Sequence, residues 1–301
     1  MDEVLVTVIC LTYNHAAYIR DALDGFVAQQ TDFRFEVIVH DDASDDGTQD
    51  IVREYRRKYP ELIHPVFQDE NQYSKGVAIA RTFLYPLIKG RYVAFCEGDD
   101  YWTDPLKLQK QVNVLENNPG VDICACRAEV RKHGVRAGFI APRIKDSLLS
   151  VEDVIVGGGN YVATASLLCR TEAYMAHTPM RDVMVNDNVL QIQCSLRGGM
   201  SYMGDCMAVY RRGVPGSWSE RHPSGDNHDR LYRMLDALDV WTSGRYHNAI
   251  VLRKRLYRSD ELLRSNKMAM LYPGELRVSI RRLCRHIQRR SIVIYFRLFD
   301  K

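Results

Sequence analysis

The sequence contains no CxxC pair, no GxSxG elbow and no HExxH helix, which removes the common zinc, serine-hydrolase and metalloprotease signatures. TYNHAAYI, which follows the first apolar run, has no glycine, so a pyrophosphate could not approach a helix start in the manner of a dinucleotide site. GGGN at 157–160 lacks the Lys-Ser/Thr pair of a P-loop and reads as a flexible hinge. No run approaches the roughly 20 apolar residues needed to span a bilayer, and the N-terminus lacks a signal-peptide layout. A net charge is also nearly missing: 41 basic residues stand against 38 acidic ones, a formal +3, which argues against a nucleic-acid binder. The eight cysteines are scattered through apolar runs and read as reduced core residues of a cytosolic protein. Cys124 and Cys126, two positions apart, share one face of a strand and need no metal.

What the chain does have is an alternation of apolar strands and amphipathic helices. VLVTVICL (4–11), FEVIVHDD (35–42), a short run at 63–67 and YVAFC (92–96) read as strands, with helices over 17–29, 51–59 and 76–87 between them. This βαβα rhythm predicts an α/β fold: an open, mostly parallel sheet flanked by helices. After Pro105 comes an amphipathic helix that stops at NNP, then the strand VDICACRAEV, a weakly patterned excursion over 132–160 and the strand YVATASLLCR. Helical pieces follow near 171–177 and 189–196, then an apolar stretch over 200–210, and a helical pattern begins near residue 226.

Three of the strands end in polar residues: TYN after the first, Asp41-Asp42 in the second and CEGDD after the fourth. Ligands of open α/β sheets sit beyond the carboxyl ends of the strands, so these ends are expected to meet at one crevice. Glu97, Asp99 and Asp100 crowd three carboxylates into four positions. Two such charges about 5 Å apart repel by roughly 3 kcal/mol at an effective dielectric near 20, and a bound cation is the natural relief. Mg²⁺ and Mn²⁺ favour one or two carboxylates plus substrate phosphates, which suits this cluster. Asp45 and Asp104, by contrast, read as caps or solvated turns.

VTVICLTYNHAAYIRDALDGFVAQ, FEVIVHDDASDDGT and RYVAFCEGDDYWTDPLKLQKQV, in this order and spacing, resemble the nucleotide-binding half of family 2 glycosyltransferases with the GT-A fold. The resemblance continues more loosely through VATASLLCR, VNDNVLQI and YRRGVPGSWS. It implies inverting, single-displacement transfer from a nucleotide-diphospho-sugar, a UDP-sugar by family habit, to a glycan or lipid-linked acceptor. It also implies donor-binding roles for Thr12, Tyr13, Asn14, Asp41 and Asp42, with Asp42 on the base. Glu97, Asp99 and Asp100 match the family's DxD motif, with Asp99 and then Asp100 as metal ligands. Glu97 departs from that motif's leading aspartate, and the extra methylene unsettles its contact with the ribose. Asp187 matches the general base, and Arg211 and Arg212 match a loop that closes on the diphosphate. Asp187 also reads as an N-cap for the helix after it. Trp102 and Trp218 are either flat faces for a sugar or core residues, and His222 reads as a surface residue.

The expected organisation is a catalytic domain over 1–222, divided into a donor half (1–115) and an acceptor half (116–222), followed by a basic helical extension over 223–301. From Arg277 to Lys301 the chain carries eight Lys or Arg residues and one aspartate. With Leu276, Ile280, Leu283 and Ile287 on one helical face, this segment suits either an anionic membrane surface or a docked helix with a solvated arginine face. The expected location is cytoplasmic, with a peripheral membrane contact in the first case. A sugar nucleotidyltransferase, or a binding subunit without activity, are the competing functions; the first would need a glycine-rich basic loop in place of TYNHAAY.

Overall fold

A computed structural model describes residues 3–184, 186–217 and 228–264. Strand β1 (Val4–Thr12) pairs in parallel with β2 (Arg34–Asp41) and with β4 (Tyr92–Phe95), and β2 pairs in parallel with β3 (Ile63–Phe67). Both faces of β1 are covered. Val6, Val8 and Cys10 enter one core cluster while Ile9 enters the other, which explains why the run is apolar throughout instead of alternating. Helices α1 (Ile19–Val27), α2 (Thr48–Lys58) and α3 (Lys107–Glu116) cover the first cluster. In α3 the buried Leu108, Val112 and Leu115 fall at helical spacing. Pro65 sits in β3, at the sheet edge, where its missing N–H costs no ladder bond.

Beyond β4 the sheet becomes mixed. Among the described residues the order is β3-β2-β1-β4-β9-β6-β10-β5, where β5 is Tyr101–Trp102, β6 Ile123–Lys132, β9 Leu168–Arg170 and β10 Met200–Arg212. β9 runs antiparallel to both β4 and β6, whereas β6 and β10 are parallel. The segment 132–160, expected to be an irregular excursion, instead forms β7 (Val135–Ile140), β8 (Ser147–Leu149) and helix α4 (Val151–Gly157). Its start is specified locally by Ser150 and Asp153, which cap each other's backbone. Residues 161–170 are not one strand: a 3₁₀ turn at Thr164–Ser166 precedes the three residues of β9. The helix expected over 76–87 is broken into short 3₁₀ and π pieces, because Gly76 takes a left-handed conformation and Pro86 cannot donate within a helix.

Short helices α5 (Thr171–Met175) and α6 (Pro179–Val183) lead to α7 (Asp187–Ser195), buried along most of its length. Helices α8 (His228–Trp241) and α9 (His247–Arg264) close the second core: Leu231, Met234, Leu235, Leu238, Tyr246 and Ile250 share one cluster with Val154, Ile155, Met180 and Val189. A Cβ on Gly158 would lie 2.2 Å from an Arg253 guanidinium nitrogen, so α9 packs directly on the glycine loop after α4. A Cβ on Gly159 would in turn lie 3.5 Å from the Asn188 Cβ of α7. Among the described residues no helix is long and apolar enough to cross a membrane. The basic stretch over 276–301, Trp218 and His222 lie outside the described residues.

Candidate active site

The parallel register brings the predicted donor residues to one edge. The Asp42 N–H donates to the Thr12 carbonyl at 3.0 Å, and the Gly98 N–H donates to the Leu11 carbonyl at 2.8 Å, so the ends of β2 and β4 flank the end of β1. Gly98 makes this approach possible, since a Cβ there would lie 2.7 Å from Thr12 Oγ1 and 2.9 Å from Thr12 Cβ. Asn14, with φ of 56°, turns the chain out of β1. Its side-chain oxygen accepts the Asp45 N–H at 3.0 Å and its own N–H donates to Ser44 Oγ at 2.8 Å. Tyr13 is half-buried beside it.

Both aspartates of β2's end are buried and hold loops in place. Asp41 accepts from Ser44 N, Ser44 Oγ and Gln49 Nε2 at 2.9, 2.5 and 2.7 Å. Asp42 accepts the Gln72 and Tyr73 N–H groups at 2.8 and 3.0 Å. Asp45 is an exposed turn residue, and the N-cap of α2 is Gly47, which offers no side chain; just before it, Asp46 accepts the Thr48 N–H and hydroxyl, and its other oxygen accepts from Ala16 N. Asp104 is a turn aspartate as expected, taking the Leu106 N–H and Lys110 Nζ, both at 2.8 Å.

Glu97 to Asp100 form a tight turn closed by Asp100 N–H to the Glu97 carbonyl at 3.0 Å. Asp100 Oδ1 accepts the Arg211 N–H at 2.8 Å, while its Oδ2 is buried without a hydrogen-bond partner. Burial, with Asp99 and Glu97 alongside, pushes the Asp100 carboxyl well above the usual carboxylate range against the opposing pull of Arg211. Glu97 is pushed up in the same way, first by burial and then by the charges of Asp187 and Asp99. An orphaned carboxylate oxygen in a knot of destabilised negative charge fits a divalent cation. Among the described residues no three His, Cys, Asp or Glu side chains form a ready metal cage, and an ion that also binds a diphosphate does not require one.

Asp187 opens α7. The N-cap is Asn186, whose side chain accepts the Val189 N–H at 3.1 Å, so the cap expected of Asp187 is made by its neighbour and the Asp187 carboxylate points elsewhere. Thr164, in the 3₁₀ turn before β9, donates its hydroxyl to Asp187 Oδ2 at 2.6 Å. Asp187 is exposed, with the Thr164 turn and the first turn of α7 packed beside its carboxylate. That crowding raises its carboxyl above the ordinary range, although the Thr164 bond opposes the shift. The turn that carries Thr164 is bonded to both flanks of the acidic turn, the Ala165 carbonyl accepting from Trp102 Nε1 at 2.8 Å and the Leu167 carbonyl from the Phe95 N–H at 3.3 Å, so Asp187 is held on the side of the acidic turn, where its charge helps to raise Glu97.

Arg211 does not stand free for a phosphate. Its Nη1 donates to the Asp99 carbonyl at 2.8 Å, its Nη2 pairs with Asp21 of α1, and its guanidinium lies 4.4 Å from the Tyr101 ring centroid. Together these contacts clamp the acidic turn against β10 and α1. Arg212, the next residue, is exposed. Trp102 proves to be core: its Nε1 donates to the Ala165 carbonyl at 2.8 Å and Phe26 meets it edge-on. Cys124 and Cys126 are buried thiols, pushed up to about 12 and about 11 by burial, so they are protonated and unsuited to a metal. Thr164, Ser44 and Asp21 complete the site. Only Ser44, within ASDDGT, carried a turn signal; Thr164 was masked by an apolar run that resembles a strand.

Residues 7–147 match the family model described as Glycosyl transferase family 2. An uncharacterised protein of Mycobacterium tuberculosis is 37% identical over 214 residues, covering 71% of this chain and 60% of that relative. This chain thus spans well under two thirds of that relative's length. A β-1,3-glucosyltransferase of Escherichia coli, WfaP, named for UDP-Glc and α-D-GlcNAc-diphosphoundecaprenol, is 34% identical over 112 residues, covering 37% of this chain and 41% of its own. The fold matches the mannosyltransferase PcManGT of Pyrobaculum calidifontis, solved with GDP-Man and Mn²⁺, at a TM-score of 0.59 and 19% identity over 95% of this chain and 82% of that one. With its strand-end acids and mixed sheet, the chain carries a glycosyl transferase family 2 domain built on the GT-A fold.

Proposed function

We propose that this chain transfers a sugar from a nucleotide-diphospho-sugar, a UDP-sugar by preference, to a hydroxyl of a glycan or lipid-linked saccharide, with inversion, in polysaccharide biosynthesis. The observation that supports the reading is that Thr164, in a turn bonded to Trp102 and Phe95 on either side of the Glu97–Asp100 turn, holds the Asp187 carboxylate on that side of the sheet. Asp187 takes the acceptor proton as the acceptor oxygen bonds to the anomeric carbon. The bond from that carbon to the diphosphate breaks, and its electron pair leaves with the nucleoside diphosphate. Thr164 holds the Asp187 carboxylate in place. Thr12, Tyr13 and Asn14 receive the nucleoside, with Asp42, Asp41 and Glu97 near the base and ribose. Asp99, backed by the unsatisfied Oδ2 of Asp100, would hold a Mg²⁺ or Mn²⁺ ion, which offsets the charge of the leaving diphosphate.

The nucleotide and lipid named for the Escherichia coli relative, and the Mn²⁺ in the Pyrobaculum structure, support this reading. A lipid-linked acceptor would also give the basic 276–301 segment an anionic, cytoplasmic membrane surface to meet. The test is calorimetry of the full chain against a panel of UDP- and GDP-sugars with and without Mn²⁺, followed by product analysis with GlcNAc-diphosphoundecaprenol. Metal-dependent uptake of one donor and release of its nucleoside diphosphate are expected. Failure of every donor to bind would end the proposal, and binding without transfer or hydrolysis would point to a subunit that has lost activity.

A further inference from the structure

The parallel pairing of β6 and β10 places Arg131 opposite Arg211 and Lys132 opposite Arg212. Like charges facing each other across a ladder are destabilising. The first pair is relieved within the protein, Arg131 by Glu129 at 2.7 Å and Arg211 by Asp21. Among the described residues Lys132 and Arg212 have no such relief, and both are exposed. His133 follows in the turn to β7 with φ of 50°, which directs its ring back over the end of β10. A Cβ built on Gly213 would lie 3.7 Å from His133 Cε1, 4.0 Å from His133 Nε2 and 3.9 Å from Lys132 Cε. Two side chains from β6 and its turn therefore converge on one glycine, directly after Arg212.

This convergence flanks the acidic turn. The Arg211 N–H is bonded to Asp100, and Gly213 is two residues further along an extended chain, about 7 Å at the usual rise. We propose that Lys132, His133 and Arg212 form a diphosphate cradle beside the acidic turn, binding oxyanions that the acids repel. With no side chain at Gly213, the His133 ring and the Lys132 stem close over its backbone, 3.7 to 4.0 Å from where a Cβ would stand. The inference rests on the glycosyltransferase reading for its ligand. The chemistry recognised is a diphosphate, either that of the nucleotide donor or that of a polyprenyl-diphosphate acceptor.

The test compares the full wild-type chain with Lys132→Gln, His133→Asn, Arg212→Gln and the triple variant. Asparagine tolerates the positive φ at 133 and all three side chains are exposed, so unchanged melting temperatures are expected. Calorimetry with inorganic pyrophosphate, UDP, GDP and GlcNAc-diphosphoundecaprenol is the readout. Each lost charge-assisted contact should weaken pyrophosphate about tenfold. Weakening shared with UDP or GDP assigns the cradle to the donor, and weakening shared with the diphospholipid assigns it to the acceptor. A triple variant that binds all four probes like wild type overturns the cradle, whatever the donor panel shows. Conversely, a chain that takes up pyrophosphate through these residues but binds no nucleotide sugar keeps the cradle and loses the glycosyltransferase reading.

Discussion

At Gly98 the acidic turn and the end of β1 touch, and a methyl group has nowhere to go. Gly98→Ala should therefore push the turn away from Thr12, costing about 1–3 kcal/mol of stability and weakening donor binding, which thermal melts and donor titrations would reveal. Unchanged melting and donor affinity would mean the turn is softer than its contacts imply. Asp187 lends itself to a sharper test. Asp187→Asn keeps the shape and the Asn186 cap, so the variant should fold normally while turnover falls by about 10²- to 10⁴-fold. The raised carboxyl of the wild type adds a pH signature. A base must be deprotonated to act, so kcat/KM should fall as pH drops through a value above the ordinary aspartate range. The shift comes first from the protein crowded beside the carboxylate, which a cation bound at the acidic turn does not remove. An acid limb at the ordinary aspartate value, or none, would remove Asp187 from the role.

Among the elements, the clearest dependency is the clamp that ties β10 to the acidic turn. Arg211→Lys keeps the charge but cannot reproduce a planar group that bonds the Asp99 carbonyl, pairs with Asp21 and stacks on Tyr101. A loss of about 1–3 kcal/mol in stability and a weaker Mn²⁺ titration are expected, and a variant equal to wild type in both would make the clamp ornamental. The sequence could not reveal this use of Arg211, because it depends on a contact between residues 190 positions apart. The strands β1, β2 and β4 were legible because runs buried on both faces leave a largely continuous apolar signature, and β3, where only Ile63 is buried, by its place in the alternation. β7, β8 and α4 were not: β7 is largely exposed, β8 has three residues, and the Ser150 cap precedes only seven helical residues. The acids at the strand ends could be read because crowded like charges are conspicuous. Thr164 could not, since its hydroxyl matters only once α7 swings Asp187 to meet it.

For the molecule as a whole, α8 and α9 supply much of the second core, so they and the sheet stand or fall together. Ending the chain at residue 227 would strip Leu231, Met234, Leu235, Leu238, Tyr246 and Ile250 from Val154, Ile155 and Val189. At about 1.5–3 kcal/mol for each buried large apolar side chain, the loss rivals the entire stability of an ordinary domain. Such a truncation should lose its cooperative melt and bind apolar dyes; a soluble, sharply melting product would show that the first 227 residues suffice. Chains ending after residue 264 test the basic segment separately, by sedimentation with anionic vesicles.

The seat of Arg253 on Gly158 has a practical side. Anyone fusing this domain to another module must place the junction beyond α9, since the guanidinium rests on the same glycine loop that abuts the residue after Asp187. A seam cut earlier would leave α7, and the Asp187 that opens it, with one wall missing.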